Sequence, residues 1–499
     1  MAPEALPASS DAPATSGADR HRSDGRAARK RSGQVRDAAS YDLVVIGGGA
    51  AGLAAARAGR RRGHRTVLVS DSAPGGDCTF TGCVPSKTLI ESAALGMSFE
   101  EATTRMRTVV AQIAATEDAE VLAGEGIEVI EGRARFVGPR TVAIEDQTIR
   151  AKRVVVATGS RPAVPSIPGL PEVDYLTNET VFDLTELPAS IAILGGGAIG
   201  CELAQAFGCF GSQVQIIEGE DRLLPREEPE AGTVLAGVFS AEGIGLRLGV
   251  TVRRVGRSAS GTGIAVECSD GSSVVAEALL VTVGRTPGTS GLDAPAGGVE
   301  LDERGYVRTD RFLATSAARV YAAGDVAGRL LFTHAADEMG RLAVGNAFGP
   351  LGRLGRRSFD TRAIPWVTFC DPEVARVGLT EADTVAAGGR VAYVAMTEVD
   401  RAVTAGRTEG FVKLIAGPRP FLRGIGGGKL LGATIVAPRA GEMIHEVSLA
   451  MHTGMFTGRL AQSVHAYPTW STALRQAAAQ FFTEVNGRSA RSAGSPPGG

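Results

Sequence analysis

Two short segments constrain the fold of this chain more than any other feature. Tyr41-Asp-Leu-Val-Val-Ile-Gly47-Gly-Gly49-Ala-Ala-Gly52 runs an apolar strand into Gly-x-Gly-x-x-Gly and then into an alanine-rich helix. Ser190-Ile-Ala-Ile-Leu-Gly195-Gly-Gly197-Ala-Ile-Gly200 repeats the unit about 150 residues later. In such a unit the first glycine makes the tight turn and the second lets backbone approach a pyrophosphate. The third lets the helix lie close on the strand. The helix start adds free N–H groups and a positive dipole end. One copy alone is a weak signal. Two copies, each between a strand and a helix, point to two Rossmann-like dinucleotide-binding domains in an α/β fold.

The strand after each copy bears on the nucleotide it takes. After the second, Gln213-Val-Gln-Ile-Ile-Glu218 reads as a strand ending in a carboxylate, placed to hold a ribose diol. A carboxylate there repels a 2′-phosphate, so NADH is favoured over NADPH, although Arg222 and Arg226 stand close enough in sequence to accommodate the phosphate. After the first copy, His64 to Ser70 reads as the strand, and either Ser70 or Asp71 can bond an adenosine ribose.

With 499 residues the chain is too long for one core. From Thr361 onward its character changes, with a β-rich stretch to Ala437 and a helical segment from Gly441 to Gly454, which together suggest a C-terminal α+β domain. The expected organisation is an extension over 1–40, a first nucleotide domain over 41–163, a second over 164–287 and a return to the first over 288–360. A C-terminal domain over 361–485 and a tail over 486–499 complete it. The extension and tail, rich in Ala, Ser, Pro, Gly and Arg, are expected to be disordered. Asp19, Asp24 and Asp37 count against reading the Arg-rich stretch as an organellar transit segment, and no apolar run has the length of a signal core or a membrane span, so a cytoplasmic protein is expected. A net charge of −2 and 5% aromatic residues give no basis for nucleic-acid binding.

Of six cysteines, only Cys78 and Cys83 lie close together, in Gly75-Gly-Asp-Cys78-Thr-Phe-Thr-Gly-Cys83-Val-Pro-Ser-Lys87. The Cys-x4-Cys spacing is not that of a thioredoxin motif, and without neighbouring His or Cys ligands no metal site is expected. Residues 87–97 read as a helix with both sulfurs near its start, where the dipole favours a thiolate. Cys201, Cys209, Cys268 and Cys370 read as buried small hydrophobes.

Over residues 41 to 480 these motifs closely resemble the pyridine nucleotide–disulfide oxidoreductases, the family of dihydrolipoyl dehydrogenase, glutathione reductase and mercuric reductase. The resemblance implies FAD in the first nucleotide domain, the nicotinamide cofactor in the second, and a homodimer built through the C-terminal domain. It implies a redox-active pair in which Cys83 faces the flavin and Cys78 exchanges with substrate, with Lys87 paired to Glu202 beside the reactive flavin nitrogen. Ala157-Thr158-Gly159-Ser160 looks like the crossing out of the FAD segment, and Gly284-Arg-Thr-Pro287 like the crossing back. Val320-Tyr-Ala-Ala-Gly324-Asp325 resembles the second FAD fingerprint, whose Asp bonds the ribityl chain, and His334-Ala335-Ala the flavin-edge segment. Gly132, within Glu131-Gly-x-Ala-x-Phe136, matches a stretch whose backbone approaches the adenine.

One departure bears on specificity. Dithiol-handling members carry His-Pro-Thr-x-x-Glu near the C-terminus, reaching into the partner subunit's site, whereas this chain has Tyr467-Pro-Thr-Trp-Ser-Thr472. A His of pKa ~6.5 shuttles protons at neutral pH and a Tyr of pKa ~10 mostly does not. Mercuric reductases are similar in carrying Tyr there, but they also carry a C-terminal cysteine pair, and Phe481 to Gly499 contains no cysteine. The expectation is an NAD(P)H-dependent flavoprotein passing electrons through Cys78–Cys83 to a small-molecule or small-ion acceptor: a quinone, a metal ion or an activated sulfur species. The alternatives are a dihydrolipoyl dehydrogenase-like enzyme with an altered base and a low-turnover flavin redox sensor.

Overall fold

The computed structural model describes residues 39–259, 261–350, 352–418 and 425–496. The extension expected over 1–40 therefore lies outside the described residues as far as 38, and the first strand takes in its last two positions.

The first nucleotide-type unit begins with strand β1 (Ala39–Ile46), helix α1 (Ala50–Arg61) and strand β2 (Thr66–Ser70). Three helices come next, α2 (Gly76–Phe80), α3 (Cys83–Ala94) and α4 (Phe99–Ala114), then the short α5 (Ala119–Gly124). Strands β3 (Glu128–Glu131), β4 (Ala134–Gly138), β5 (Thr141–Ile144) and β6 (Gln147–Val156) complete this stretch. In the resulting sheet β3, β2, β1 and β6 run parallel, while β5 and β4 continue antiparallel from β6. Every residue of β2 is buried, as a strand covered on both faces must be.

The chain leaves through β7 (Ser160–Pro162) and builds the second unit from β8 (Ser190–Leu194), α6 (Ala198–Phe210), β9 (Gln213–Glu218), α7 (Pro229–Ala241) and β10 (Gly245–Leu248). An antiparallel flap is built from β11 (Val252–Arg257), β12 (Ile264–Cys268) and β13 (Ser273–Ala276), and β14 (Ala278–Val281) closes a four-stranded parallel sheet in the order β10-β9-β8-β14. The return strand β15 (Arg285–Pro287) pairs antiparallel with β7, so the outgoing and returning chains form one two-stranded ribbon. Strand β16 (Val320–Ala322) then joins the first sheet beside β6, and α8 (Thr333–Phe348) packs on α1. That packing is close: a Cβ at Gly340 would fall 2.2 Å from the Ala51 carbonyl oxygen, which explains the small residues on both helices.

The C-terminal unit is α+β. It comprises β17 (Pro365–Thr368), β18 (Glu373–Gly378), α9 (Glu381–Thr384), β19 (Arg390–Ala395), α10 (Asp400–Ala405), β20 (Phe411–Gly417) and β21 (Lys429–Ala437). Helices α11 (Ala440–His452), α12 (Thr457–Gln462) and α13 (Thr472–Ala479) complete it. Its antiparallel sheet, in the order β17-β18-β21-β20-β19, packs Val412, Leu414 and Ile435 against Ile444, Val447 and Leu474 of the helices.

Three expectations need correction. Cys209, read as buried, is exposed near the end of α6, whereas Cys201, Cys268 and Cys370 are buried. The tail from 486 is not wholly unstructured: β22 (Arg491–Ser492) adds to the edge of β19, and Arg491 pairs with Glu381, so one ion pair and a short ladder hold a segment whose composition reads as loop. The helix expected over 87–97 begins earlier, at Cys83, and ends at Ala94, while Cys78 lies in the separate α2. Among the described residues no helix is long and apolar enough to cross a membrane.

Candidate active site

The two glycine loops are near-copies in space. Gly47 and Gly195 have φ of 109° and 106°, a region that strains any side chain. Their N–H groups donate to Val69 O at 2.7 Å and Ile217 O at 2.9 Å. A Cβ at Gly52 would lie 1.8 Å from Gly47 O, and one at Gly200 would lie 1.9 Å from Gly195 O, so only glycine lets α1 and α6 start this close to their strands. Gly49 and Gly197 cap those helices; a Cβ at Gly197 would meet nothing within 4 Å, whereas Gly76 packs beside Gly49.

At the end of β9, Glu218 is fixed by two backbone donors, Gly196 N at 2.6 Å and Glu220 N at 2.9 Å, so its carboxylate sits at the second loop. In the first unit Ser70 is buried with its Oγ toward the glycine loop, and its carbonyl accepts from Gly132 N at 2.8 Å. Asp71 is exposed and lies 3.8 Å from Arg161.

At the crossing, Thr158 Oγ1 is buried without a hydrogen-bond partner, an opening for a bound polar group. Gly159, Gly284 and Gly324 all have positive φ, and Ala335 is fully buried in the first turn of α8. Asp325 Oδ2 accepts from Ser160 Oγ at 2.6 Å, and burial pushes its carboxyl upward. Arg285, on the return strand, donates to Ser160 Oγ at 2.5 Å and to Ser160 O at 2.8 Å, and it pairs with Asp77, next to Cys78. The crossing ribbon is thereby tied to the helix that carries one sulfur.

The cysteine pair is present as two thiols. The neighbouring Cys78 thiol is the main influence holding the Cys83 thiol well below its ordinary value, and Cys83 in turn pushes Cys78 well above. Thr333 Oγ1, 3.6 Å from Cys83 Sγ, and the charge of Lys87 act in the same direction on Cys83. Lys87 Nζ donates to Glu202 Oε2 at 2.7 Å, and the other oxygen of this buried carboxylate accepts from Phe369 N at 2.9 Å. The Lys87 ammonium also stands 4.7 Å over the Phe369 ring. This group joins α3, α6 and the C-terminal unit. A reduced pair in this arrangement has one thiolate, at Cys83, and one thiol, at Cys78.

The structure does not bring Tyr467 to the cysteines of its own chain. Its ring is exposed, and its phenol donates to Asp400 Oδ2 at 2.8 Å. Thr472 Oγ1 lies 3.3 Å from Thr469 Oγ1 and does not touch Tyr467. His465, the imidazole of this loop, has both ring nitrogens engaged, Nδ1 at 3.1 Å from Ser463 O and Nε2 at 3.0 Å from Glu446. Among the described residues no group of three or more His, Cys, Asp or Glu is placed to hold a metal ion.

Sequence reading missed Thr333, Phe369, the Asp77–Arg285 pair, Asp400 and Glu446. Asp77 alone carried a local signal, an acid beside a redox cysteine.

Comparison with known proteins agrees with this architecture. Residues 41–340 match the pyridine nucleotide-disulphide oxidoreductase family, and residues 364–478 match the dimerisation domain of that family. The chain is 36% identical over 471 residues to a mercuric reductase of Streptomyces lividans, covering 89% of this chain and 97% of that one. It is 36% identical over 470 residues to a dihydrolipoyl dehydrogenase of Chlorobaculum tepidum, covering 88% and 97%. Among solved structures, the HOCl-induced flavoprotein disulfide reductase RclA of Escherichia coli superposes with a TM-score of 0.80 at 30% identity, covering 88% of this chain and 99% of that one.

Proposed function

Because the chain belongs to the pyridine nucleotide-disulphide oxidoreductase family, we propose that it is an FAD-dependent NAD(P)H oxidoreductase whose Cys78–Cys83 pair passes electrons to a small acceptor needing no His–Glu base. Quinones, metal ions and activated sulfur species are such acceptors, because none requires a proton delivered to a poor leaving group.

The observation that carries this reading is the setting of Cys83, which opens α3 with Thr333 Oγ1 3.6 Å from its sulfur and the Lys87–Glu202 pair one turn further along the helix. These neighbours favour a thiolate at Cys83 and leave Cys78 the thiol. That is the division of labour expected if Cys83 faces a flavin and Cys78 meets the substrate.

FAD fits the residues present. Gly47, Gly49 and Gly52 form the glycine loop at the start of α1, Ser70 and Gly132 line the strand ends, and Thr158 brings an unsatisfied hydroxyl. Gly159, Gly324, Asp325 and Ala335 supply the returning segment. When bound, FAD supplies the two-electron carrier between nicotinamide and disulfide. The nicotinamide nucleotide is assigned to Gly195, Gly197, Gly200 and Gly284, with Glu218 positioned to favour NADH. The Lys87–Glu202 pair keeps a compensated positive charge beside Cys83.

The dimerisation domain supports a homodimer in which Tyr467 is contributed to the partner's site. The metal-ion acceptor class draws further support from the mercuric reductase relatives, although the family's C-terminal cysteine pair has no counterpart in Phe481 to Gly499.

The test is an acceptor screen on purified, FAD-loaded protein with NADH and NADPH in parallel. Quinone or activated-disulfide reduction that outpaces lipoamide and glutathione disulfide supports the reading. A folded protein that takes up no FAD overturns it.

A further inference from the structure

Beside the helix that carries Cys78 stands the Glu117 carboxylate, which has no counter-charge among the described residues. Helix α3 leads away from Cys83 and α4 returns beside it, as the 2.8 Å bond from Arg105 Nη1 to Ser92 Oγ records. The end of α4 therefore stands next to α2, and the turn after it brings Glu117 over the cysteine-bearing helix. There Glu117 Oε2 accepts a 3.3 Å hydrogen bond from Thr79, the buried residue immediately after Cys78.

The neighbouring cations are already engaged. Lys87 is paired with Glu202, Arg285 with Asp77, and Arg57 with Glu125 at 3.0 Å. Among the described residues Glu117 has no cation within ion-pair distance, so the local sum of charges beside Cys78 is negative. The negative field of Glu117 is one of the influences that keep Cys78 a thiol.

We propose that Glu117 is a specificity-determining residue for the exchanging sulfur, selecting neutral or cationic electrophiles over anionic ones. The proposal rests on the reading of Cys78 as the sulfur that meets substrate.

Glu117 would act on a thiol–disulfide exchange. With the pair reduced by two electrons from NAD(P)H, Cys78 passes its proton to the Cys83 thiolate and attacks one sulfur of a disulfide R–S–S–R; the S–S bond breaks, and the departing R–S⁻ takes that proton from Cys83. The Cys83 thiolate then attacks Cys78 in the mixed disulfide, releasing the second sulfur and closing Cys78–Cys83. The pair loses two electrons, the substrate gains two, and the Cys78 proton ends on one product thiol. An anionic R group must enter against the Glu117 charge, and its leaving thiolate adds to that charge.

Two measurements test this. In the NADH-reduced protein, alkylation of Cys78 by neutral iodoacetamide and by anionic iodoacetate is monitored by peptide mass spectrometry. One uncompensated charge at several ångströms in a partly screened mouth is worth about three- to tenfold in rate. Glu117→Gln should lower the iodoacetamide-to-iodoacetate ratio by about that factor, chiefly by speeding iodoacetate, and 0.5 M salt should lower the wild-type ratio in the same direction. An unchanged ratio, or equal changes with both reagents, overturns the proposal.

The second measurement compares turnover of 4,4′-dithiodipyridine, which is neutral, with that of dithiobis(nitrobenzoate), which is dianionic. Glu117→Gln should raise kcat/KM for the dianion by a larger factor than for the neutral reagent. If wild-type protein reduces neither while the alkylation ratio still responds to Glu117, the disulfide route is wrong and the charge assignment stands. If both are reduced with no dependence on Glu117, the converse holds.

Discussion

Tyr467 and Asp400, 67 positions apart in the chain, are joined by a 2.8 Å hydrogen bond in which the phenol donates. Asp400 opens α10, whose next residue, Arg401, lies 5.7 Å over the Trp470 ring, so this helix start holds the Tyr467 loop at two points. The carboxylate that sets Tyr467 thus comes from another element, not from position 472.

The Asp400 hydrogen bond and charge raise the Tyr467 phenol above its ordinary value. Removing the negative charge should lower it, so in Asp400→Asn the ionisation assigned to Tyr467 should move to lower pH. Ultraviolet difference titration, with Tyr467→Phe as the reference that lacks this ionisation, reads the shift. An ionisation that stays in place would mean that the contact does not persist in solution.

In the cysteine pair the Cys78 thiol is the group that most lowers Cys83. Cys78→Ala removes that donor and should raise the pH at which the Cys83 thiolate forms. Cys78→Ser keeps a hydroxyl donor and should raise it less. Thr333→Val should shift it upward as well. The reduced FAD-loaded protein should show a long-wavelength absorbance that Cys83→Ser abolishes and Cys78→Ser retains. Loss of the band in both variants, or in neither, would reverse or void the assigned roles.

A separate prediction concerns stability. Lys413 is 1% exposed and bonds Glu228 at 3.2 Å, Glu230 at 2.6 Å and Glu381 at 3.1 Å, tying the start of α7 to the C-terminal sheet. Burial opposes its charge, but the Glu230 hydrogen bond and the Glu228 and Glu381 contacts raise its pKa overall. A lysine whose folded pKa lies above its unfolded one stabilises fully below the unfolded value, near ~10.4, and loses that contribution as pH rises through the folded value. The contribution of this group should therefore be fully present, and unchanging with pH, around neutrality. Lys413→Met strands the buried Glu228 carboxylate, while Glu381 keeps Arg491, and should cost roughly 3–5 kcal/mol, read from the denaturant midpoint. A cost under ~1 kcal/mol would mean that the cluster relaxes around the loss.

Much of the frame was legible because its signals are local. Gly47 and Gly195, with the strands before them and the helices after, announce two nucleotide folds within a dozen residues each. Glu218 was placed correctly at its strand end because β9 has clean boundaries. What escaped is what long-range packing assembles. Thr333 meets Cys83 across 250 residues, and nothing in Phe-Thr-His marks a sulfur ligand. Asp400 comes after an ordinary strand and turn and shows its role only when α10 swings toward the loop at 467. The strand at Arg491–Ser492 has only two residues and no apolar alternation, so its composition read as tail until the Arg491–Glu381 pair pinned it.

The missing dyad should also be rebuildable. Tyr467→His alone places a base without its carboxylate partner, since position 472 carries a threonine whose hydroxyl bonds Thr469, and the imidazole is shorter than the phenol that reaches Asp400. The double change Tyr467→His with Thr472→Glu should raise lipoamide turnover by more than the product of the two single effects. Simple multiplicativity would show that the two positions do not act together.

If this disulfide oxidoreductase serves acceptors that need no proton shuttle, NADH-dependent turnover of the unmodified protein with lipoamide and with a quinone, side by side, is the most direct test. General acid–base catalysis is typically worth ~10²–10⁴-fold, so lipoamide reduction should be slow by that order while quinone reduction proceeds. Rapid lipoamide turnover would contradict the account, because Tyr467 is held by Asp400 and both nitrogens of His465 are engaged, leaving neither free to deliver the proton.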